Sequence, residues 1–475
     1  MARPNVLLVV LDSVRARNCS LYGHANETTP FLTDFAEGAT VYEQARAPGV
    51  HSIASHVSVF TGHEVHQHGL TEHGARLDPE ATVWAELAAD GYDTGLFTPN
   101  AVVTRSSNLG ESFEHVTGPK RTGVPYPDAL TLDDVDDADP ATFVRTALGR
   151  DDRIRSLYNG LWMKFGSHAE HDPEAEAADR YLDDFLEWTD ARDGPWAACV
   201  NLMDAHYPYR PAAEYDEWGN DRLHALHDDF PEGSGVADYI NGDRPWWEVA
   251  ALTALYDGCI RQADAAMERL VADLRERGLY EDTFLVVTSD HGECFGEPTH
   301  VRPDVRTVGH RYGVPEPLTH VPLVTKRPGQ SDGDRVRAPT TLSAFPEAVD
   351  AVRDGAEEPA FRTDRPVLTS TFRQLSGSGL TTYLDDPDSY VGPWRAVYDA
   401  ADGGDGVRKS VTHRDATATV RVRDAQTAYR TATDDDDRVA AAFDALDPVT
   451  IGEGEGDEGL APDVEDHLEE LGYIR

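Results

Sequence analysis

The chain has 475 residues, 40 % of them hydrophobic, which is more than one ordinary core uses and predicts two domains, one of them large. Acidic residues outnumber basic ones 86 to 42, a formal net charge of −44, so the surface repels nucleic acid and anionic membranes at low salt. No stretch approaches the roughly 20 apolar residues of a membrane helix, and Val6 to Leu11 is too short for a signal peptide and lacks a small-residue cleavage site; the expectation is a cytoplasmic protein with neither nucleic-acid nor membrane partners.

Asn5 to Leu11 reads as an apolar strand that ends at Asp12. Ser52 precedes an apolar stretch with helical spacing and is a candidate helix N-terminus. Thr82 to Asp90 reads as a helix stopped by Gly91, and Thr94 to Phe97 as the next strand. Trp196 to Met203 is a strand with Asp204 just past its end. In Tyr256 to Glu276, Ile260, Ala263, Met267, Leu270 and Leu274 recur at spacings of three and four, which predicts a helix closed by Gly278. Thr283 to Ser289 is a buried-looking strand that again ends in Asp, and Val321 to Thr325 is another. Residues 118 to 175 and 215 to 248 read as surface insertions or lids. Strands alternating with helices imply a mostly parallel sheet covered on both faces. After about residue 355 the segments Val367 to Phe372, Trp394 to Tyr398 and Ala416 to Val422 are polar, Thr-rich and alternating, which suggests a small antiparallel sheet, with a short helix at Val464 to Leu471. The expected fold is therefore α/β: a large, mostly parallel sheet sandwiched by helices over residues 1–355, and a smaller antiparallel-sheet subdomain over 356–475.

Only four residues are lysine (Lys120, Lys164, Lys326, Lys409). Acid excess with few lysines suits a halophilic protein, because concentrated salt shortens the Debye length and screens self-repulsion. Cys19, Cys199, Cys259 and Cys294 are widely spaced, form no CxxC pair, and are expected to be reduced thiols.

In open α/β sheets ligands bind beyond the carboxyl ends of the strands. Asp12, Asp204 and Asp290 all fall there, and two are followed closely by histidine, His206 and His291. A lone strand-end carboxylate is ordinarily a turn or cap residue; three of them with two histidines point to a site. Asp12, Asp290 and His291 supply the carboxylates and imidazole that a hard or borderline divalent cation needs.

Ordered motifs then make the resemblance specific. Pro4 to Asp12 resembles the opening strand of sulfatases, in the alkaline-phosphatase superfamily, and Tyr22-Gly23 with Thr29 to Leu32 resembles the segment after it. Ala47-Pro48, Ser52 to His56, Phe60-Thr61-Gly62 and His68-Gly69 resemble the nucleophile loop and helix. Val286 to Glu293 resembles the late metal-binding motif, followed by Val308-Gly309-His310 and Val321-Pro322-Leu323. Glu469 to Tyr473 resembles a common ending in one branch.

The resemblance implies that Asp12, Ser52, Asp290 and His291 hold one divalent metal ion (Ca, Mn or Zn). It implies that Ser52 is the nucleophile, and that His206 and His310 contact the substrate anion or protonate the leaving group. A histidine suits that task because its unperturbed pKa is about 6.5. Ser13 stands where sulfatases carry a second Asp, and His291 where they carry Asn or Gln, which moves the metal preference from calcium toward manganese or zinc. His56 replaces the arginine of the signature that directs formylglycine formation, so the sequence leaves open whether Ser52 is modified. Phe97-Thr98-Pro99-Asn100 occupies the stretch of a missing lysine segment. His56, Asn100 and Asp204 are the substrate-binding candidates. A second metal ion on Asp204, His206 and His310 is the lesser alternative. Arg15 and Arg46 lie near the site in sequence but read by default as surface arginines, the His63/His66/His68 cluster as a surface turn, and Trp246-Trp247 as packing.

The function implied is metal-dependent hydrolysis of a sulfate ester, or of a phosphate or phosphonate ester, through a covalent Ser52 or formylglycine-52 intermediate, on a small-molecule or glycan ester. A sulfo- or phosphotransferase acting on a glycan or other acceptor hydroxyl, and a degenerate anion-binding protein, are the alternatives. The sequence is silent on the oligomeric state.

Overall fold

The first strand, β1 (Asn5–Leu11), is buried along its whole length, as a central strand with both faces covered must be. Its side chains alternate between two cores: Leu7, Val9 and Leu11 enter one, and Val6, Leu8 and Val10 the other. The computed structural model describes residues 3–119, 126, 129–130, 140–148, 150, 153–158, 178–231, 233–356, 358–361, 365–372, 383–401, 403, 406–432 and 437–453. The acidic run 133–137 and the helix expected at 464–471 lie outside these described residues.

Beside β1 stand β2 (Thr40–Tyr42), β3 (Asp93–Phe97), β4 (His115–Thr117), β5 (Trp196–Leu202), β6 (Thr283–Thr288), β7 (Leu323–Lys326) and β8 (Asp334–Val336). Their order is β8-β2-β7-β6-β1-β5-β3-β4. All neighbours run parallel except β7, which is antiparallel to both β6 and β2. The segment between β6 and β7 stays at the carboxyl end of β6 and re-enters the sheet from that end, so β7 must run the other way.

Five helices matter for the site: α1 (Ser52–Thr61), α2 (Val83–Ala89), α3 (Ala178–Asp190), α4 (Thr253–Glu276) and α5 (Phe345–Arg353). α1, α2 and α5 cover one face through Ile53, Val57, Phe60, Trp84, Leu87, Phe345 and Val349. α3 and α4 cover the other through Tyr181, Leu182, Phe185, Ile260, Met267, Leu270 and Leu274. Each such side chain contributes about 1.5–3 kcal/mol when fully buried. α1 is buried from Ser52 to Phe60 and ends at Gly62, whose φ of 76° suits a residue without a Cβ.

The expected C-terminal antiparallel sheet is present, as β9 (Val367–Thr371), β10 (Trp394–Ala400), β11 (Val407–His413), β12 (Ala416–Val422) and β13 (Ala428–Ala432) in that order. Trp394, Ala396, Tyr398, Val411 and Val420 pack with Val50, Val314 and Leu318. A buried charge network lies within this contact. Lys409 Nζ donates to Glu316 Oε1 at 2.9 Å, Arg46 Nη2 lies 3.1 Å from Glu316 Oε2, and the Arg46 guanidinium covers the Tyr398 ring.

Several expectations are corrected. Arg46 is buried rather than exposed, and so is Arg15, paired through Nη1 with Glu297 Oε1 at 2.5 Å. Neither is left for a surface. His68 is buried too, its Nε2 3.0 Å from Ser58 Oγ. Trp246 packs against the core, as expected, while Trp247 is exposed. The four cysteines are unpaired and buried. No helix among the described residues is long and apolar enough to cross a membrane.

Candidate active site

Asp12 follows β1 directly, and Asp290 lies two positions beyond β6, the parallel neighbour of β1. The sheet register therefore sets the two carboxylates side by side at its carboxyl edge. Asp12, Asp290 and His291 are buried and each offers a ligand atom within 4.8 Å of the others.

The polar bookkeeping there is incomplete without a cation. Asp290 Oδ1 accepts from His291 N at 3.0 Å and from Ser13 N at 3.4 Å. His291 Nδ1 lies 2.9 Å from the Gly292 carbonyl oxygen, which can only accept, so Nδ1 carries the proton. That turns Nε2 toward Asp290 Oδ2, 3.4 Å away. Both atoms are buried and neither makes a hydrogen bond. An imidazole lone pair facing a buried carboxylate oxygen is costly unless a positive charge sits with them. Burial opposes a charge on His291, but the carboxylates of Asp290 and Asp12 outweigh it and raise its pKa above the usual histidine value. The donor set thus fits a divalent ion.

Ser52 is the first residue of α1, where backbone N–H groups have no intrahelical acceptor and favour an anion. Asn100 ties it to Asp12. Asn100 Oδ1 caps the short helix Ala101–Thr104 by accepting from Val102 N at 2.8 Å. This fixes the amide, so Nδ2 donates to Asp12 Oδ2 at 2.9 Å and to Ser52 Oγ at 3.4 Å. His56, one helical turn on, lies with Nδ1 2.8 Å from the Ser52 carbonyl oxygen and 3.7 Å from Asp290 Oδ2.

The turn after β1 is strained. Ser13 adopts φ 63°, which costs a non-glycine residue on the order of 1–3 kcal/mol. Ser13 Oγ donates to Asp12 Oδ1 at 3.0 Å. The Tyr256 hydroxyl, reaching in from α4, donates to the Ser13 carbonyl at 2.7 Å and accepts from Arg15 N at 3.0 Å.

Three histidine rings gather beside the carboxylates. His310 lies 4.3 Å from His291 and 5.3 Å from His206, centroid to centroid. His206 Nδ1 lies 2.6 Å from the Tyr207 carbonyl oxygen, so Nδ1 carries its proton. His310 Nδ1 lies 3.2 Å from Glu293 Oε2. Burial, then the neighbouring His291 and His206, holds His310 well below the usual histidine range; burial raises the Glu293 carboxyl.

Asp204 goes elsewhere. Its Oδ1 accepts from Gln262 Nε2 of α4 at 2.7 Å, and burial raises its pKa to about 6. It is tied to the helix rather than to the Asp12 group, and among the described residues Asp12, Asp290 and His291 are the one metal-capable group, so Asp204, His206 and His310 do not form a second.

Sequence reasoning missed Asn201, Tyr256 and the Glu293 contact. Asn201, on β5, places Nδ2 3.4 Å from Asp12 Oδ2. A polar residue within an otherwise apolar buried strand was the available signal. In the sequence Tyr256 shows only as the first residue of a helical pattern.

The sheet is thus covered on both faces, with a serine, two carboxylates and histidines gathered at its carboxyl edge. The chain belongs to the sulfatase family, whose model matches residues 4–351. The multifunctional alkaline phosphatase superfamily protein PehA of Trinickia caryophylli is 34 % identical over 84 residues, 18 % of this chain and only 15 % of that protein's length. The phosphonate monoester hydrolase of Agrobacterium radiobacter shares the fold: TM-score 0.59, 17 % identity, covering 89 % of each chain. So does a protein, BT4656, solved with its substrate D-glucosamine-2-N,6-O-disulfate: TM-score 0.57, 15 % identity, covering 88 % of this chain and 91 % of that one.

Proposed function

We propose that this protein is a metal-dependent hydrolase of sulfate esters or of phosphate or phosphonate esters, and that Ser52 carries the covalent intermediate. The observation that supports it most directly is the Asn100 amide, which joins the Ser52 hydroxyl to Asp12 beside the lone-pair contact between His291 and Asp290. Asp12, Asp290 and His291 hold the ion, with Ser52 Oγ as its further ligand. The imidazole in this set favours manganese or zinc over calcium. A divalent ion there polarises the ester and lowers the pKa of a serine hydroxyl.

The remaining roles fall to the chain's own groups. The first turn of α1 binds anionic ester oxygens, and the Asn100 amide holds the Ser52 hydroxyl beside Asp12. Ser52 Oγ attacks sulfur or phosphorus, and the ester oxygen leaves. His310 and His206 present Nε2 for proton transfer, taking up a proton from the attacking group and returning one to the leaving oxygen. His56 holds the Ser52 carbonyl at the head of the helix.

Metal analysis together with hydrolysis of nitrophenyl sulfate, phosphate and phenylphosphonate at high salt tests this reading. One ion per chain, turnover of at least one ester, and loss of turnover in Ser52→Ala are expected. Mass spectrometry of the Ser52 peptide distinguishes serine from formylglycine. A metal-loaded protein that turns over none of the three esters overturns the proposal.

A further inference from the structure

The carboxylates of the metal group do not hold themselves in place. Asp12 and Asp290 stand on separate strand ends, and one residue, Ser13, touches both. Its N–H points to Asp290 Oδ1 and its Oγ–H to Asp12 Oδ1. That residue sits in the left-handed region, φ 63°, where serine stays only if its surroundings hold it.

We propose that Tyr256 is a positioning residue for the metal group: its hydroxyl clamps the strained Ser13 turn and thereby sets the spacing of Asp12 and Asp290. This rests on the metal reading given above. The hydroxyl has one proton to donate and a lone pair to accept with, and both are used within the turn, on the Ser13 carbonyl and the Arg15 N–H. The clamp is anchored. Tyr256 is fully buried on α4, a 24-residue helix, and its ring packs against Tyr209 and Phe295. The phenol therefore cannot follow the turn if the turn relaxes. Without the hydroxyl, Ser13 is free to leave the left-handed region, and its N–H then swings off Asp290. The cost of that conformation belongs to the Cβ of residue 13, so a glycine there holds the same turn with little help.

The test uses Tyr256→Phe, Ser13→Gly and the double variant, each stripped of metal and titrated with Mn2+ or Zn2+ by calorimetry. Thermal melting of the metal-free proteins shows that each is folded. Tyr256→Phe is expected to weaken metal binding about 10–100-fold, as loss of a group supporting a metal ligand does. In the Ser13→Gly background the same change is expected to cost only a few-fold. A merely structural tyrosine lowers the melting temperature without this dependence on residue 13. Affinity in Tyr256→Phe within about twofold of wild type overturns the clamp, and so does an equal loss in both backgrounds. A wild-type protein that binds neither ion sinks the metal reading itself, and the clamp with it.

Discussion

Glu293 Oε2 lies 3.2 Å from Nδ1 of His310, and that contact occupies one of the two ring nitrogens. With Nδ1 engaged by Glu293, the proposed mechanism assigns Nε2 to proton exchange with substrate. Glu293 Oε1 accepts from Cys294 N at 3.2 Å, so the carboxylate is itself held. Glu293→Ala is expected to lower turnover of alkyl esters about 10²-fold, the usual worth of a positioned proton donor. Nitrophenyl esters, whose leaving groups need little protonation, are expected to lose only a few-fold. A leaving-group series on the variant and the wild type measures the difference; a uniform loss across the series contradicts the assignment.

Asn100 does two jobs with one amide, since its oxygen caps a helix turn and its nitrogen bridges Asp12 and Ser52. Asn100→Ala is expected to cost about 1 kcal/mol in stability through the lost cap. In kcat the expected loss is about 10²-fold, because the fixed donor beside Ser52, the proposed nucleophile, is gone. Denaturant titration and steady-state kinetics on the same preparation read both effects.

Acid is expected to weaken the buried Arg46–Glu316–Lys409 network. Burial raises the Glu316 carboxyl, but Arg46, Lys409 and His320 outweigh it and hold its pKa down at about 2. An unfolded glutamate titrates near 4.3. The group therefore stabilises the fold fully above that value, and this contribution fades as pH falls toward 2. The amount is on the order of 3 kcal/mol. Urea unfolding between pH 6 and about pH 3 is expected to show the loss in wild type. Glu316→Gln is expected to be weaker throughout, by about 3–5 kcal/mol for a broken buried pair, with a flatter acid limb.

Salt is expected to act in the opposite direction to its usual effect on surface ion pairs. With a net charge of −44, self-repulsion dominates at low ionic strength. Raising potassium chloride toward about 1 M, where the Debye length is about 3 Å, is expected to raise the melting temperature. A melting temperature that falls or stays level counts against the halophilic reading.

The strand ends were legible because an apolar run that stops abruptly at a charged residue states both its own end and the place of that charge. Asp12, Asp290 and His291 follow that pattern, and Ser52 heads its helix as the spacing implied. Direction was not legible. Val321 to Thr325 reads as a strand whichever way it runs, and only the path of residues 289–322 makes β7 antiparallel. β11 carries Arg408, Lys409, Ser410 and Thr412 and has no apolar signature of its own. The buried Lys409 on it is matched by Glu316, 93 residues earlier. Asp204 has the same local pattern as Asp12, yet Gln262 claims its side chain. Local sequence fixes where a side chain starts, and partners distant in the chain decide where it ends.

The ion network between Arg46, Glu316 and Lys409 bears on any attempt to trim the enzyme. A gene shortened after residue 355 keeps the whole metal group but discards Lys409, Trp394 and Tyr398. Glu316 then loses one of its two closest cations, and Val50, Val314 and Leu318 are bared to water. Such a fragment is expected to aggregate through the bared apolar surface, so the later sheet has to travel with the Asp12 and Asp290 strand ends in any fusion or library built from this chain.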